Sequence, residues 1–357
     1  MKTYIKFIIK TYLDALIIIF LILFSLIFIL NLLSEIDYFK DINTNSSLPI
    51  YLSLLNSPSH LVEMFPFIFL ISVQFFFLKL FKNNEIETLK YSGLKNFSII
   101  KIISITVLII GIIIITFFYN FSSNLKNIYL SIKSPYSKDE KYLAVVTNNG
   151  LWIKDKINSS IYFINSSKME RNFLKETFIT EFDQNYNVVK NISSKNIDIE
   201  NNTWIIYDAE IYVNNNREII EILKLETNFN YKKIQSLFSE LSSQSIFELY
   251  DLKKNYFSLG YSTIEIDIFL GRLISAPILF ILISIFSCII MFNFKKIKST
   301  TLKISVGLMS SVLIYYINNF FYVLGSTEVI PIALSISAPI ILLGVLNSLM
   351  LYKINEK

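Results

Sequence analysis

Residues 16–33 read LIIIFLILFSLIFILNLL, an uncharged run inside an apolar block spanning 13–33. At ~1.5 Å of rise per residue the block crosses the ~30 Å of a bilayer's hydrocarbon core. Lipid offers no partner to backbone N–H and C=O groups, so such a run crosses only as a helix. A secretory signal would have a shorter apolar core and a small-residue cleavage site, and this stretch has neither. Working outward, five more blocks of comparable length follow at 61–81, 99–118, 269–292, 302–324 and 330–351. Roughly 140 mostly polar residues separate the third from the fourth. Six runs of this length set aside the alternative of a buried core helix, and the order is three spans, an insertion, and three spans.

Composition agrees. With 53% hydrophobic residues, 15% aromatic residues and a mean hydropathy of +0.51, the 357-residue chain is far more apolar than a soluble protein of that length. The net charge of +5 is spread over separate short segments, so it forms no basic face for nucleic acid. Lysine placement orients the spans, because short cytoplasmic segments hold excess Lys and Arg. Lys2, Lys6 and Lys10 precede the first block, and Lys79, Lys82, Lys90, Lys95 and Lys101 surround the second-to-third connection. Lys295, Lys296, Lys298 and Lys303 mark the fourth-to-fifth connection, and Lys353 and Lys357 follow the sixth block. The loop expected after the first block instead carries Glu35, Asp37 and Asp41 against Lys40, and 325–328 has no basic residue. Both termini are therefore expected in the cytoplasm and the insertion on the opposite side.

Within the insertion the pattern changes to short alternating or β-branched runs: YLAVV at 142–146, GLWIKD at 150–155, SIYFI at 160–164, TFITEF at 177–182, NVVKNI at 187–192, NIDI at 196–199, TWIIYD at 203–208 and EIYV at 210–213. Turn residues divide them, including Asn149-Gly150, Asn201-Asn202 and the asparagines at 214–216. Closely spaced short strands predict a sandwich, jelly roll or barrel, with Trp152 and Trp204 as large core residues. A helix is predicted after the strands, from Ile246, Leu249, Leu252 and Phe257 at near-helical spacing. Cys288, the one cysteine, lies in the fourth block, so no internal disulfide staples the insertion.

No catalytic constellation is present. One histidine, His60, and one cysteine cannot build a multi-His/Cys zinc set or a redox pair, and there is no G-x-x-x-x-G-K-[ST] to cradle ATP phosphates. No catalytic residue, metal or cofactor is expected, and any ATP hydrolysis belongs to another subunit. Between the second and third spans, KNNEIETLKYSGLKNFSI predicts a short cytoplasmic helix at about 84–93. Asn83 or Asn84 would cap it, Glu85 and Glu87 sit in the first turn, Lys90 in the last, and Gly93 stops it. A helix tied to two spans can carry the motion of a soluble motor into the membrane.

The E-I-E-T-L-K-Y-S-G segment, the G-L-W-I-K-D strand, and S-I-F-E-L-Y-D-L-K-K-N-Y-F-S-L-G-Y-S followed by a span with Arg272 and Pro277 together resemble the LptF/LptG family of lipopolysaccharide export permeases. The resemblance covers essentially the whole chain and is closer to LptG. It implies a membrane α+β fold: six transmembrane helices, three plus three, with a periplasmic β-jellyroll-like domain inserted between the third and fourth. Residues 1–125 would hold the first three spans, 126–265 the β domain and connecting helix, and 266–357 the last three spans. It further implies a non-catalytic subunit of the bacterial inner membrane, paired with an LptF-type permease above an LptB-type ATPase dimer. Lipopolysaccharide would pass to the periplasmic bridge proteins LptC and LptA. Glu85, Ile86, Glu87, Leu89, Ser92 and Gly93 match the ATPase-coupling helix. The first and fifth spans would form lateral gates, with Asp37, Lys40 and Arg272 on the outer rim of the cavity.

Chemistry makes those placements sensible. Acyl tails need an apolar, deformable cavity, for which Phe20, Phe24, Phe28, Phe320 and Phe321 supply bulk, and phosphorylated sugars need cations near the surface. Each phenylalanine could equally face membrane lipid or pack between helices, and Arg272 could equally anchor at the interface. Where the family often carries further lysines, this chain has Ser34 and Ser59, which leaves head-group recognition open. Two other classes remain: another ATP-driven permease, for lipoprotein release or mechanotransmission, and a membrane receptor or assembly factor. The first usually places one span before its outer domain; the second has no use for a coupling helix.

Overall fold

The structure, a computed structural model, describes residues 3–42, 44–133, 136, 151–157, 160–170, 172–213, 216–231, 234, 240–259, 262–293 and 300–355. The strand expected at 142–146, the Asn149-Gly150 turn, Asn214-Asn215, and Lys2, Lys295, Lys296, Lys298 and Lys357 lie outside the described residues. In chain order the elements begin with α1 (Thr3–Phe39), α2 (Leu48–Lys82), α3 (Glu85–Tyr91) and α4 (Asn96–Ile113). A π-helical turn at Ile114–Phe118 joins α4 to α5 (Tyr119–Lys133). Six strands follow: β1 (Leu151–Ile157), β2 (Ser160–Glu170), β3 (Phe173–Phe182), β4 (Val188–Asp198), β5 (Thr203–Val213) and β6 (Asn216–Glu226). The chain then forms α6 (Ile246–Leu259), α7 (Ile264–Asn293), α8 (Thr300–Ser326) and α9 (Ile332–Asn355). Two compact units result, Met1–Tyr129 with Ile264–Lys357, and Leu130–Thr263.

In the first unit six helical segments are long and apolar enough to cross a membrane: α1, α2, the continuous α4–α5 helix, α7, α8 and α9. The centre is built where α2, α7 and α9 meet, with Leu70, Leu279, Ile283, Phe286, Ile290 and Leu343 buried together. Lipid tails are as apolar as these side chains, so burial from water adds little, and close approach with interhelical hydrogen bonds must hold the helices. Close approach is visible at Gly111 on α4, where a Cβ would lie 3.2 Å from the Pro277 Cα and the Phe280 ring of α7. Likewise, a Cβ at Gly307 on α8 would fall on the Gln74 carboxamide of α2. Ser287 Oγ donates to Leu70 O at 2.9 Å and Asn347 Nδ2 to Leu282 O at 2.8 Å. Each such bond contributes on the order of 0.6 kcal/mol.

Three spans run further than the apolar blocks predicted: α1, α2, which begins at Leu48 ahead of the block at 61–81, and the third span. The segment carrying Glu35 and Asp37 belongs to α1 and is not a loop, and Glu35 is buried, accepting Tyr129 Oη–H at 2.8 Å. The third span continues through the π turn to Lys133. Past Phe118 the sequence turns polar, yet Tyr119, Ser122, Ser123, Lys126 and Tyr129 are buried on one face at helical spacing. Packing of that stripe extends the helix where an apolar run does not.

In the second unit the strands form one antiparallel sheet in the order β1-β2-β3-β4-β5-β6. The register aligns Ile153, Ile164, Ile179, Ile192 and Ile211 in a row across five strands, all buried. Leu174, Ile197, Ile206 and Leu223 form a parallel row. Period two holds within each row, but the rows stand an odd number of residues apart on β3, β4 and β5. The phase shifts between them, where Glu176 and Asp208 take left-handed backbone at φ +47° and +48°, and both rows turn to the buried face. Trp204 is fully buried on that face and donates Nε1–H to Phe229 O at 2.8 Å. Trp152 corrects the reading that made both tryptophans core residues. It sits between inward-facing Leu151 and Ile153, so strand parity sends it to the opposite face, 53% exposed. The inner face also holds polar pairs. Asp155 accepts both the backbone N–H and the Nδ2–H of Asn228, and Glu181 pairs with Lys190 at 3.0 Å. Burial and the neighbouring Glu181 carboxylate push Tyr162 up to about 12.

Helix α6 starts where the S-I-F-E segment predicts. Ser245 N–H donates to Glu248 Oε2 at 2.7 Å and Glu248 N–H to Ser245 Oγ at 3.3 Å, a reciprocal capping box. Leu249 and Leu252 are buried, whereas Phe257 is 79% exposed and leaves the expected apolar stripe.

Candidate functional site

The connection between α2 and the third span is a short helix, as its charges predict, but its ends are made differently. Asn84 stands at the N-cap with φ +53° and makes no side-chain capping bond. This left-handed residue is one of the few types that tolerate such a backbone. The side chain of Asn83 instead donates to Glu85 Oε1 at 3.1 Å. The C-terminus is a full Schellman stop. Gly93, at φ +83°, donates its N–H to Lys90 O at 2.9 Å, and Leu94 N–H reaches Leu89 O at 3.1 Å. Leu89 and Leu94 are both buried, which supplies the apolar contact that accompanies this motif.

These details sort the candidate coupling residues. Ile86 is 1% and Leu89 7% exposed, so both face the protein's own helices. Ser92 donates its hydroxyl to Leu89 O at 2.9 Å and, with Gly93, terminates the helix. Glu85 is half-buried beside Asn83. Glu87, Thr88 and Tyr91 face outward. Helix α3 is thus fastened by its apolar side and presents a small outer face containing one carboxylate. Lys90 lies over the Phe292 ring of α7, 5.9 Å from its centroid, which adds a second tie to the spans.

The candidate gate residues divide into two groups. On α1, Phe20 and Phe24 are 6.5 Å apart between ring centroids. Phe20 also meets Phe65 of α2 at 6.4 Å and Phe118 at 6.1 Å, and Phe65 meets Phe118 at 5.4 Å. Phe118 closes the π turn, whose extra residue per turn brings Ile114, Ile115 and Tyr119 to the buried side as well. Phe20 is therefore a packing residue on its inner side, while Ile17, Ile18, Leu21, Ile22 and Leu26 form the exposed face of α1. Phe28 is half-buried. On α8, Phe320 is 60% exposed and stacks edge-to-face on half-buried Phe321 at 5.9 Å. Among the described residues no ring contact joins the α1 pair to the α8 pair.

Of the charged candidates, Asp37 and Lys40 are exposed at the end of α1, where Lys40 N–H turns back to Asp37 O. Arg272 on α7 lies over the Tyr322 ring of α8, 4.7 Å from its centroid. It is half-buried with an aromatic partner, which fixes the guanidinium between two spans. Sequence reasoning did not find Phe65, Phe118, Tyr129 or Tyr91, because none carries a charge or motif that distinguishes it from ordinary membrane aromatics. Among the described residues there is no group of His, Cys, Asp and Glu able to hold a metal.

Six spans, an antiparallel sheet inserted between the third and fourth, and a short connecting helix between the second and third together define an α+β membrane permease subunit. The family model described as the lipopolysaccharide export system permease LptF/LptG matches residues 6–353, so the chain belongs to the LptF/LptG family. It is a multi-pass transport protein of the inner membrane, and its family membership sets aside the lipoprotein-release and receptor readings. No curated protein sequence matches it.

Proposed function

We propose that this chain is the LptG-type permease of an ATP-driven complex that extracts lipopolysaccharide from the inner membrane and passes it to a periplasmic bridge. The likeness to LptG rests on G-L-W-I-K-D and S-I-F-E-L. In this reading both termini and α3 lie in the cytoplasm, the sheet lies in the periplasm, a homologous permease pairs with the chain, and an ATPase dimer docks beneath. Lysine asymmetry supports the orientation. Helices α1 and α8 serve as lateral gates around an apolar cavity, and Arg272, with Asp37 and Lys40 on the rim, meets the phosphorylated head group.

The observation that carries the proposal is the attachment of α3. Buried Ile86, Leu89 and Leu94 and the Schellman stop leave it little freedom to move apart from α2, so a push on its outer face reaches the spans. Glu87→Lys reverses the one carboxylate on that face without touching the buried side. The expected result is a drop of about tenfold or more in ATPase association or stimulation, with the chain still folded and inserted. Full assembly and export with Glu87→Lys would refute the coupling role.

A further inference from the structure

The face of the sheet turned away from its isoleucine core carries aromatic rings that the core does not use. Trp152, Asn165 and Phe178 stand in register on β1, β2 and β3, each beside an inward isoleucine, so all three belong to the opposite face. Trp152 is 53% and Phe178 45% exposed. Two strand spacings separate them, about 9.6 Å. Asn165 lies between, half-buried, and its Nδ2 has no hydrogen-bond partner. A donor left in that state is costly unless an acceptor comes from elsewhere, and a rotation of the amide presents it to one arriving from outside. The next positions along this face on β3 and β4 are hydroxyls and an amide: Thr180, Asn191 and Ser193.

Several kinds of ligand can cover such a face, and its chemistry separates them. An acyl chain would leave the amides and hydroxyls unpaired. An added peptide strand takes its backbone bonds at a sheet edge, not on a face. An anion needs an uncommitted cation. Here Lys154 lies over the Phe163 and Tyr186 rings, 5.6 and 5.7 Å from their centroids, and Arg217 pairs with Glu210 at 2.7 Å. An uncharged sugar chain meets every group: its C–H faces stack on the rings, and its hydroxyl and amide edges pair with the Asn, Thr and Ser side chains. Rings two strands apart suit a linear chain that runs across the strands and stacks on alternate sugars. We propose that this face binds an uncharged linear glycan, the glycan strand of the cell wall, with Trp152 and Phe178 as its stacking platforms. The phosphorylated saccharide of the transported lipid is the poorer match, because it brings charge that the face leaves unmet. The wall as source rests on the proposed periplasmic placement of the sheet; the site does not.

The test uses the full-length chain in detergent with chitohexaose, an uncharged linear glycan, and purified cell-wall sacculi in parallel. Trp204 is fully buried, so of the two tryptophans Trp152 reports a ligand on this face. The expected result is a saturable change in its fluorescence. Calorimetry should show chitohexaose binding weakened about tenfold by Trp152→Ala and by Phe178→Ala, with Phe178→Tyr within about threefold. Thermal unfolding should stay near that of the natural chain for all three, since they alter an exposed face. If the natural chain binds neither glycan, or if both alanine variants bind as well as it does, the site is overturned. Tighter binding of deacylated lipopolysaccharide than of chitohexaose would assign the face to the transported lipid and overturn the wall as ligand. Placement is checked separately with Gln184→Cys, at an exposed position, challenged by a membrane-impermeant maleimide in spheroplasts; the natural Cys288 is buried. Absence of labelling, with glycan binding retained in vitro, would overturn the periplasmic placement and with it the wall as source, but not the glycan site.

Discussion

The second and fourth spans differ from the first and fifth in burial, and the difference does not follow hydropathy. In their most apolar windows α2 and α7 are 56% and 50% buried, whereas α1 is 6% and α8 11% buried. Yet α1 is the most apolar of the six and α8 the least. Hydropathy therefore reports which solvent a helix tolerates, not what it packs against. Helix α2 carries Ser53, Asn56, Ser57, Ser59, Ser72 and Gln74, all buried, because polar atoms in lipid are kept where protein surrounds them. Helix α1 can stand in lipid as it is. Helix α8 is poorly covered and poorly apolar at once, a combination that suits a wall facing a cavity or a second subunit better than one facing acyl chains.

The contrast can be broken most directly in α2. Phe69 is fully buried and stacks at 4.9 Å on Phe280, so Phe69→Ala should lower stability by about 3 kcal/mol, read by thermal unfolding in detergent. A loss no larger than that of a lipid-facing phenylalanine would mean that the α2–α7 centre is not what holds the first unit together. Tyr129→Phe tests how α1 is held. Removing the hydroxyl leaves the buried Glu35 carboxylate short of a donor, at a cost of about 1–2 kcal/mol. Crosslinking between cysteines introduced on α1 and α5 should become less efficient in that variant. The smallest effect is expected at Phe320→Ala on α8, within about 0.5 kcal/mol for the subunit alone. Reduced export by this stably folded variant would sharpen the assignment of α8 as a functional wall, and normal export would remove Phe320 from it.

Much of this was legible because its cause is local. Block length alone gives the spans, and Glu85, Glu87, Lys90 and Gly93 are enough to place α3. Ser245 and Glu248 likewise mark the start of α6 by a bond between near neighbours. The misses involve partners distant in sequence. Nothing in Ile-Ile-Thr-Phe-Phe announces a π turn, because the extra residue is accommodated through Phe118 meeting Phe20 and Phe65 on other helices. The parity that buries Trp204 and exposes Trp152 depends on strand register. The outward Tyr91 and the inward Ile86 and Leu89 were readable as helix positions, but which side met the bundle was not.

The topology also sets an order of events during synthesis. Every described strand of the sheet pairs with its chain neighbour, so that unit forms from short-range contacts as soon as it emerges. The membrane unit cannot follow suit: Ser287 reaches Leu70 across 217 residues. At typical elongation rates the 130–263 stretch takes roughly ten seconds to be made, an interval long compared with helix insertion. Throughout that interval α2 holds Ser72 and Gln74 in the bilayer before α7 and α8 exist to cover them. The first three spans are thus a waiting intermediate, and an insertase or chaperone that shelters polar groups within the membrane would find its client there.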